Sequence, residues 1–381
     1  MTSGPKILPN PDLAVGEDNK QRWNQPAHRR WGFHNAHRLF RRAHMVRSRA
    51  LLALRAAAPE AQISHPAIDR LCEDPAFSAL VCLRGDRVLL ERHAPDCGPE
   101  QAHSIQSITK MHIHLIVGRL IAEGRLDPAR RVRELLPGIG SGYAEARIQD
   151  LLDMNLANDF SEDYADPNAD CYSEEIALGW RLPEGEAPET SLWDFVRAIT
   201  GGDLENRTGR TLYKSANSDV LTLLCARVMP RSLLAEIEAI ADAAGYEGAF
   251  HISLSPEGLP AFSGGGCLSA RDLARFGLIF ARGGADIRGR PFANAAFLRH
   301  SLDRAALPMP APRDWLRYSN HLMTDGRLLG HAGYGGQFLM VDRDSGLSCA
   351  FLSVLENEAG YDEAYQSAVV DALRALCLSA A

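Results

Sequence analysis

The sequence predicts an α+β protein: an antiparallel sheet flanked by helices, with a mostly helical insert. Three observations carry this. Strand-like runs cluster near both ends of the chain, at 77–92 and at 337–355. Helix signals fill the stretch between them. Residues 108–121 are apolar in almost every helical direction, which marks a buried helix, too short to span a bilayer, since that takes about 20 residues. The 381 residues are 46% apolar and 23% charged, enough for a large core. The expected organisation is an N-terminal extension at 1–60, a body made of 61–130 and 245–381, and a helical insert at 131–244.

The elements follow in order. Residues 1–20 are polar, carry Pro5, Pro9 and Pro11, and read as a disordered lead without the apolar core of a signal peptide. No acidic residue occurs between Asp18 and Glu60, and arginine and histidine are frequent there. Phe33, Ala36, Leu39, Phe40, Ala43, Val46, Leu51 and Leu54 recur at helical spacing, so a basic amphipathic helix is expected within 21–58. The favoured reading packs that helix across the domain with its arginines solvated or paired. A membrane-surface or transit segment and a homodimer contact are the other roles open to it. Arg84-Gly85-Asp86 is a turn between two β-prone runs. Gly124 stands where a helix C-cap glycine belongs. Short helices are expected at 127–137 and 148–152, and 158–172 reads as an acidic lid loop. Ser191 caps a helix, another fills 220–228, and 232–244 ends at Gly245. Ser263-Gly-Gly-Gly266 is a sharp loop before a helix capped by Ser269. Asp342 to Gly346 turns a hairpin, and 364–378 is a last helix.

Charge and cysteine usage exclude several functions. A net charge of -7 argues against nucleic-acid binding. The eight cysteines contain no CxxC pair, which argues against zinc and against a secreted disulfide framework. Several lie inside apolar runs, as small buried hydrophobes do in a reducing compartment. The expectation is a cytoplasmic protein with no metal, no cofactor and no membrane partner. His112 and His114 point to different sides of one helix and read as structural.

The candidate chemistry begins at Ser107, at the start of the buried helix, with Lys110 one turn on and on the same face. A helix N-terminus offers N–H groups and a positive dipole end to a developing oxyanion. A desolvated lysine can accept a hydroxyl proton. Two further stretches supply partners. Tyr213-Lys214-Ser215 brings a phenol that can relay a proton, and Gly330-His331-Ala332-Gly333-Tyr334 leads toward a strand, its glycines allowing close approach of substrate to backbone.

Taken together, Ser107-Ile-Thr-Lys110, Tyr213-Lys214-Ser215 and His331-Ala332-Gly333 resemble the three motifs of the serine β-lactamase and penicillin-binding-protein superfamily in its class C-like variant. Coverage runs from about Phe77 to the C-terminus. Within that superfamily the chain is most similar to the 6-aminohexanoate-dimer hydrolases and related esterases, through Glu162-Asp163-Tyr164-Ala-Asp166-Pro167 and through Trp23-Asn-Gln-Pro26 with Arg30-Trp31-Gly-Phe33. Ser215 stands where asparagine is common, and Met154-Asn-Leu-Ala-Asn158 replaces Met-Thr-Ser-Gly. The resemblance implies a β-lactamase/transpeptidase-like fold and a serine hydrolase cleaving a small amide or ester. In that scheme Lys110, held neutral by desolvation and by Tyr213, takes the Ser107 proton. The N–H groups of Ser107 and Tyr334 hold the oxyanion, Tyr213 protonates the leaving group, Tyr164 closes over it, and His331 orients Tyr213 or the substrate. Glu162, Asp163 and Asp166 would attract a cationic amine. A retired binding module and a β-lactamase or D-amino-peptidase are the alternatives.

Overall fold

The computed structural model describes residues 22–183 and 187–380; the lead at 1–20 lies outside them. Among these residues twelve strands form two sheets. They are β1 Ala43–Arg47, β2 Arg55–Ala56, β3 Phe77–Arg84, β4 Arg87–His93, β5 His103–Ser104, β6 Ala249–Ser253, β7 Gly266–Leu268, β8 Arg317–Ser319, β9 Leu322–Thr324, β10 Leu328–Gly333, β11 Gln337–Asp342 and β12 Leu347–Ser353. The large sheet has the order β2-β4-β3-β12-β11-β10-β9-β8, and the small one β1-β6-β7-β5. All pairings are antiparallel except β2 with β4.

The middle of the large sheet is buried on both faces, and its period-2 alternation divides the side chains between two cores. Ala79, Val81, Leu83, Leu339 and Val341 face one core, with the helix Ala270–Ala281. Leu80, Cys82, Phe338 and Met340 face the other, with the C-terminal helix Glu363–Ser379. The expected hairpins, the caps at Ser191 and Ser269, and the left-handed Gly245 at φ 72° are all present, and Ser232 caps the helix that Gly245 ends.

The basic N-terminal helix is shorter than expected. It spans Pro26–Leu39 and stops, because Ala43–Arg47 turns into a strand paired with β6. Val46 is the one fully buried side chain of that strand. Four arginines of this segment are paired: Arg30 with Asp96, Arg41 and Arg42 with Glu189, and Arg49 with Asp242. All eight cysteines are free thiols, and all but Cys72 are buried. Among the described residues no helix is long and apolar enough to cross a membrane.

Candidate active site

Strand β5 delivers the chain into a tight 3-10 turn, Gln106–Lys110, from which the buried helix Met111–Ala122 continues. Gln106 has φ 47°, a left-handed backbone that a non-glycine residue rarely adopts. The Thr109 hydroxyl donates to the Gln106 carbonyl at 2.6 Å and braces the turn. Ser107 is thereby presented to a narrow cleft with about 30 Å³ of free space, shared with Trp23, Tyr164, Glu174, Trp180, Ser215, Ser263 and Tyr334.

Lys110 is fully buried beneath it. Its Nζ lies 2.9 Å from Ser107 Oγ and 2.9 Å from Ser215 Oγ, and it also donates to the Ser263 carbonyl. An ammonium has three donors, and all three have acceptors here. The Ser107 hydroxyl reaches the same Ser263 carbonyl at 3.4 Å. Burial alone would push the Lys110 amine down; Tyr213, Glu162 and Glu174 push it up and prevail, so its pKa stands above the ordinary lysine value. This corrects the expectation of a neutral lysine: desolvation is outweighed by the acidic groups around it.

Tyr213 places its ring 5.1 Å from Lys110 Nζ. Its hydroxyl is buried without an aligned hydrogen-bond partner among the described residues. Burial raises its pKa against the pull of Lys110, so the phenol is neutral at rest. The Tyr213 segment is anchored by Met154, whose carbonyl accepts from Leu212 N at 2.9 Å and whose sulfur faces Lys214 N and Asn217 Nδ2. Lys214 points away from the cleft and holds the carbonyls of Asn158 and Phe160.

Glu162 is the residue whose place was least foreseen. Its carboxylate accepts from Ser215 N at 2.6 Å, from Ser215 Oγ at 2.6 Å and from the Tyr164 hydroxyl at 2.7 Å. A continuous chain therefore runs Lys110, Ser215, Glu162, Tyr164. Asp163 and Asp166 do not join it; they are exposed and cap turns at Ala165 N and Asn168 N. The acidic groups that do line the cleft are Glu174 and Glu175, from the helix Asp170–Ala177. Glu175 pairs with Arg181 at 2.9 Å. Glu174 faces Asp219, itself fully buried. Burial, and for Glu174 the neighbouring Asp219 charge, raise both carboxyls, so the pair retains a proton above the ordinary carboxylate range.

The third motif differs from expectation in two ways. His331 is fully buried, with Nε2 2.9 Å from the Tyr318 hydroxyl and Nδ1 2.6 Å from the Ala332 carbonyl. Both nitrogens are occupied, so it supports Tyr213 by ring packing at 6.1 Å, with no hydrogen bond to it and no face toward the cleft. Burial holds it neutral. At Gly333 the close neighbour is not substrate: a Cβ there would stand 2.8 Å from the Ile105 carbonyl, so the missing side chain lets β10 press against the turn that carries Ser107. Tyr334 does line the cleft. Its ring packs 4.7 Å from Tyr164, and its hydroxyl donates to the Ala359 carbonyl at 2.8 Å.

Residues 75–373 match the model of a family described as Beta-lactamase. The chain belongs to the beta-lactamase family. It is 31% identical over 296 residues to the 6-aminohexanoate-dimer hydrolase of Paenarthrobacter ureafaciens, covering 74% of this chain and 71% of that one. Its fold superposes, with TM-score 0.80 and 15% identity, on a Bacillus anthracis protein assigned as a 6-aminohexanoate-dimer hydrolase, covering 98% of both chains. It also superposes on a D-stereospecific amidohydrolase from Streptomyces, with TM-score 0.57 and 17% identity over 80% of this chain and 97% of that one. The family is one of hydrolases.

Proposed function

We propose that this beta-lactamase-family hydrolase cleaves an amide or ester of a small molecule through an acyl-enzyme on Ser107. One observation carries the reading: a single buried amine, Lys110 Nζ, bridges Ser107 Oγ and Ser215 Oγ at 2.9 Å each, at the floor of an aromatic-walled cleft. Residues with these pairings suit proton transfer and little else.

The resting state holds an ammonium at Lys110 and a neutral phenol at Tyr213. One proton must leave that pair before Ser107 can be activated. The Ser107 proton then passes to the freed site, and Oγ attacks the carbonyl. The N–H groups of Ser107 and Tyr334 receive the oxyanion. The proton taken from Ser107 goes through Tyr213 to the departing amine or alcohol. Water hydrolyses the acyl-enzyme by the reverse path, and Ser107 regains its proton. Glu162 holds Ser215 in line and raises both members of the pair. Tyr164 closes the cleft over the leaving group. With Asp163 and Asp166 exposed, Glu174 sharing a proton with Asp219 and Glu175 paired with Arg181, the cleft suits an uncharged small amide or ester rather than a cationic amine end. The likeness to a 6-aminohexanoate-dimer hydrolase supports linear amides as substrates, and the eight free thiols suit a reducing compartment.

A hydrolysis screen over p-nitrophenyl esters, linear amides and nitrocefin tests the reading. The expected outcome is turnover of esters or linear amides that disappears in Ser107→Ala. Turnover retained by Ser107→Ala would overturn it, and turnover of nitrocefin alone would replace the linear amide or ester by a β-lactam as the substrate.

A further inference from the structure

Trp23 stands between two spaces. On one side is the Ser107 cleft, and on the other a slot walled by Ala36, Leu39 and Phe40. Both spaces share Trp23, Trp180, Gln106 and Gly264. The slot is pinched, its free space admitting little more than one water molecule. It offers little to a charged or polar group. The Trp180 indole N–H is taken by Ser253 Oγ, and Gln106 Nε2 is taken by Ser104 Oγ at 2.7 Å.

The partition is braced from behind. Phe33 is fully buried, with its ring 6.0 Å from Trp23 and 6.1 Å from Tyr334. Gly32 brings the helix so close that a Cβ would meet the Trp23 carbonyl at 2.3 Å. Arg29, also buried, donates to the Asn24 side chain at 2.9 Å and to the Leu355 carbonyl at 2.8 Å, tying this segment to the loop behind Tyr334. The family match begins at residue 75, so the brace comes from a part of the chain outside it.

We propose that Trp23, with Trp180, is a chain-length filter: an apolar arm of the substrate is stopped at these rings, and the slot behind them is the space a longer arm would need. This rests on Ser107 being the reacting centre of the adjoining cleft. The arm is a short alkyl or flat apolar group, carried on the acyl side or on the leaving-group side. Removing the Trp23 indole joins cleft and slot into one apolar cavity of the kind that accepts small hydrophobic guests.

Two ester series test it: p-nitrophenyl acetate to octanoate for the acyl side, and ethyl to hexyl acetate for the leaving side. In one series Trp23→Ala should raise kcat/KM for the hexyl-length member relative to the shortest by about tenfold or more. Adding Ala36→Leu, which refills the slot, should return the ratio toward its original value. A simple loss of stability would not produce that reversal. In parallel, 1-hexanol should give a saturable tryptophan-fluorescence change, with Trp180 as reporter, in Trp23→Ala but neither in the unmodified protein nor in Trp23→Ala/Ala36→Leu. Unchanged chain-length profiles in both series, or no saturable binding of the alcohol to Trp23→Ala, would overturn the filter. If the unmodified protein hydrolyses nothing, the function proposed above falls, while the alcohol titration still decides this one.

Discussion

Lys110 and His112 sit two residues apart on one buried segment, both fully removed from solvent, and the fold treats them oppositely. Lys110 is ringed by Ser107, Ser215 and Ser263 oxygens with Glu162 beyond, and its pKa is raised. His112 is stacked 4.9 Å from Phe250 and 4.5 Å from Phe276, with one hydrogen bond to the Thr109 carbonyl, and burial lowers it to about 4. His114, stacked on Phe297, is likewise lowered to about 4. Burial therefore does not set protonation by itself; the partners do. The first turn of this segment is charged and poised for chemistry, and the turn after it is a neutral aromatic core.

Several experiments break or sharpen that contrast, beginning with the largest effect. Ser107→Ala should lower kcat by about 10⁴-fold, leaving only binding and the oxyanion donors; progress curves at high enzyme concentration would measure it. Lys110→Met, which keeps the stem and removes the amine, should lower kcat/KM by about 100-fold or more. The pH profile carries more information. Lys110 and Tyr213 are both raised and must together lose a proton, so kcat/KM should climb as pH rises above neutral, with an acid limb belonging to the pair. Glu162 raises both groups, so Glu162→Gln should move that limb to lower pH even as the loss of its bonds to Ser215 lowers kcat by about tenfold. A limb that stays put would show that Glu162 only holds the loop.

The histidine turn gives the opposite signature, in stability. His112 and His114 are depressed from 6.5 to about 4, so the native state binds fewer protons than the unfolded chain across that window. Their contribution is intact above pH 6.5 and is lost as pH falls toward 4. At pH 5 the loss should be about 2 kcal/mol for each. Urea melts of His112→Phe against the unmodified protein at pH 7 and pH 5 would measure it, the variant losing less on acidification. The smallest effect is expected at Asp219. Its raised carboxyl contributes stability at low pH that fades as pH rises through its folded value. Asp219→Asn should therefore raise Tm by about 2 °C at pH 8, and by less at pH 4.

The polar floor of the cleft was largely legible in the sequence. Ser107, Lys110, Tyr213 and Ser215 lie in motifs whose residue types are fixed by their chemistry, and their convergence is as expected. The apolar run at 108–121 and the strand pairs 77–92 and 337–353 were legible for a similar reason, since burial on all sides writes itself into composition. What was missed has physical causes. Ser263 acts through its backbone carbonyl, which any residue would supply. Glu174 and Asp219 look like ordinary polar positions of surface helices, and only their meeting buries them. Glu162 reads in sequence as an attracting charge, because sequence does not show that its carboxylate turns inward to Ser215. The N-terminal helix was overrun because Val46 and its neighbours satisfy helical and strand spacing alike, and pairing with β6 decides between them. Trp23 sat in a stretch noted only for resemblance, so its place on the cleft wall came from the fold.

The central claim is that Ser107 is the nucleophile of this cleft. Reaction with a fluorophosphonate, followed by intact and peptide mass spectrometry, tests it most directly. The account predicts one adduct per chain, on the peptide carrying Ser107, formed faster at higher pH and absent in Ser107→Ala. Equal labelling of Ser107→Ala, or an adduct on any other residue, would contradict it.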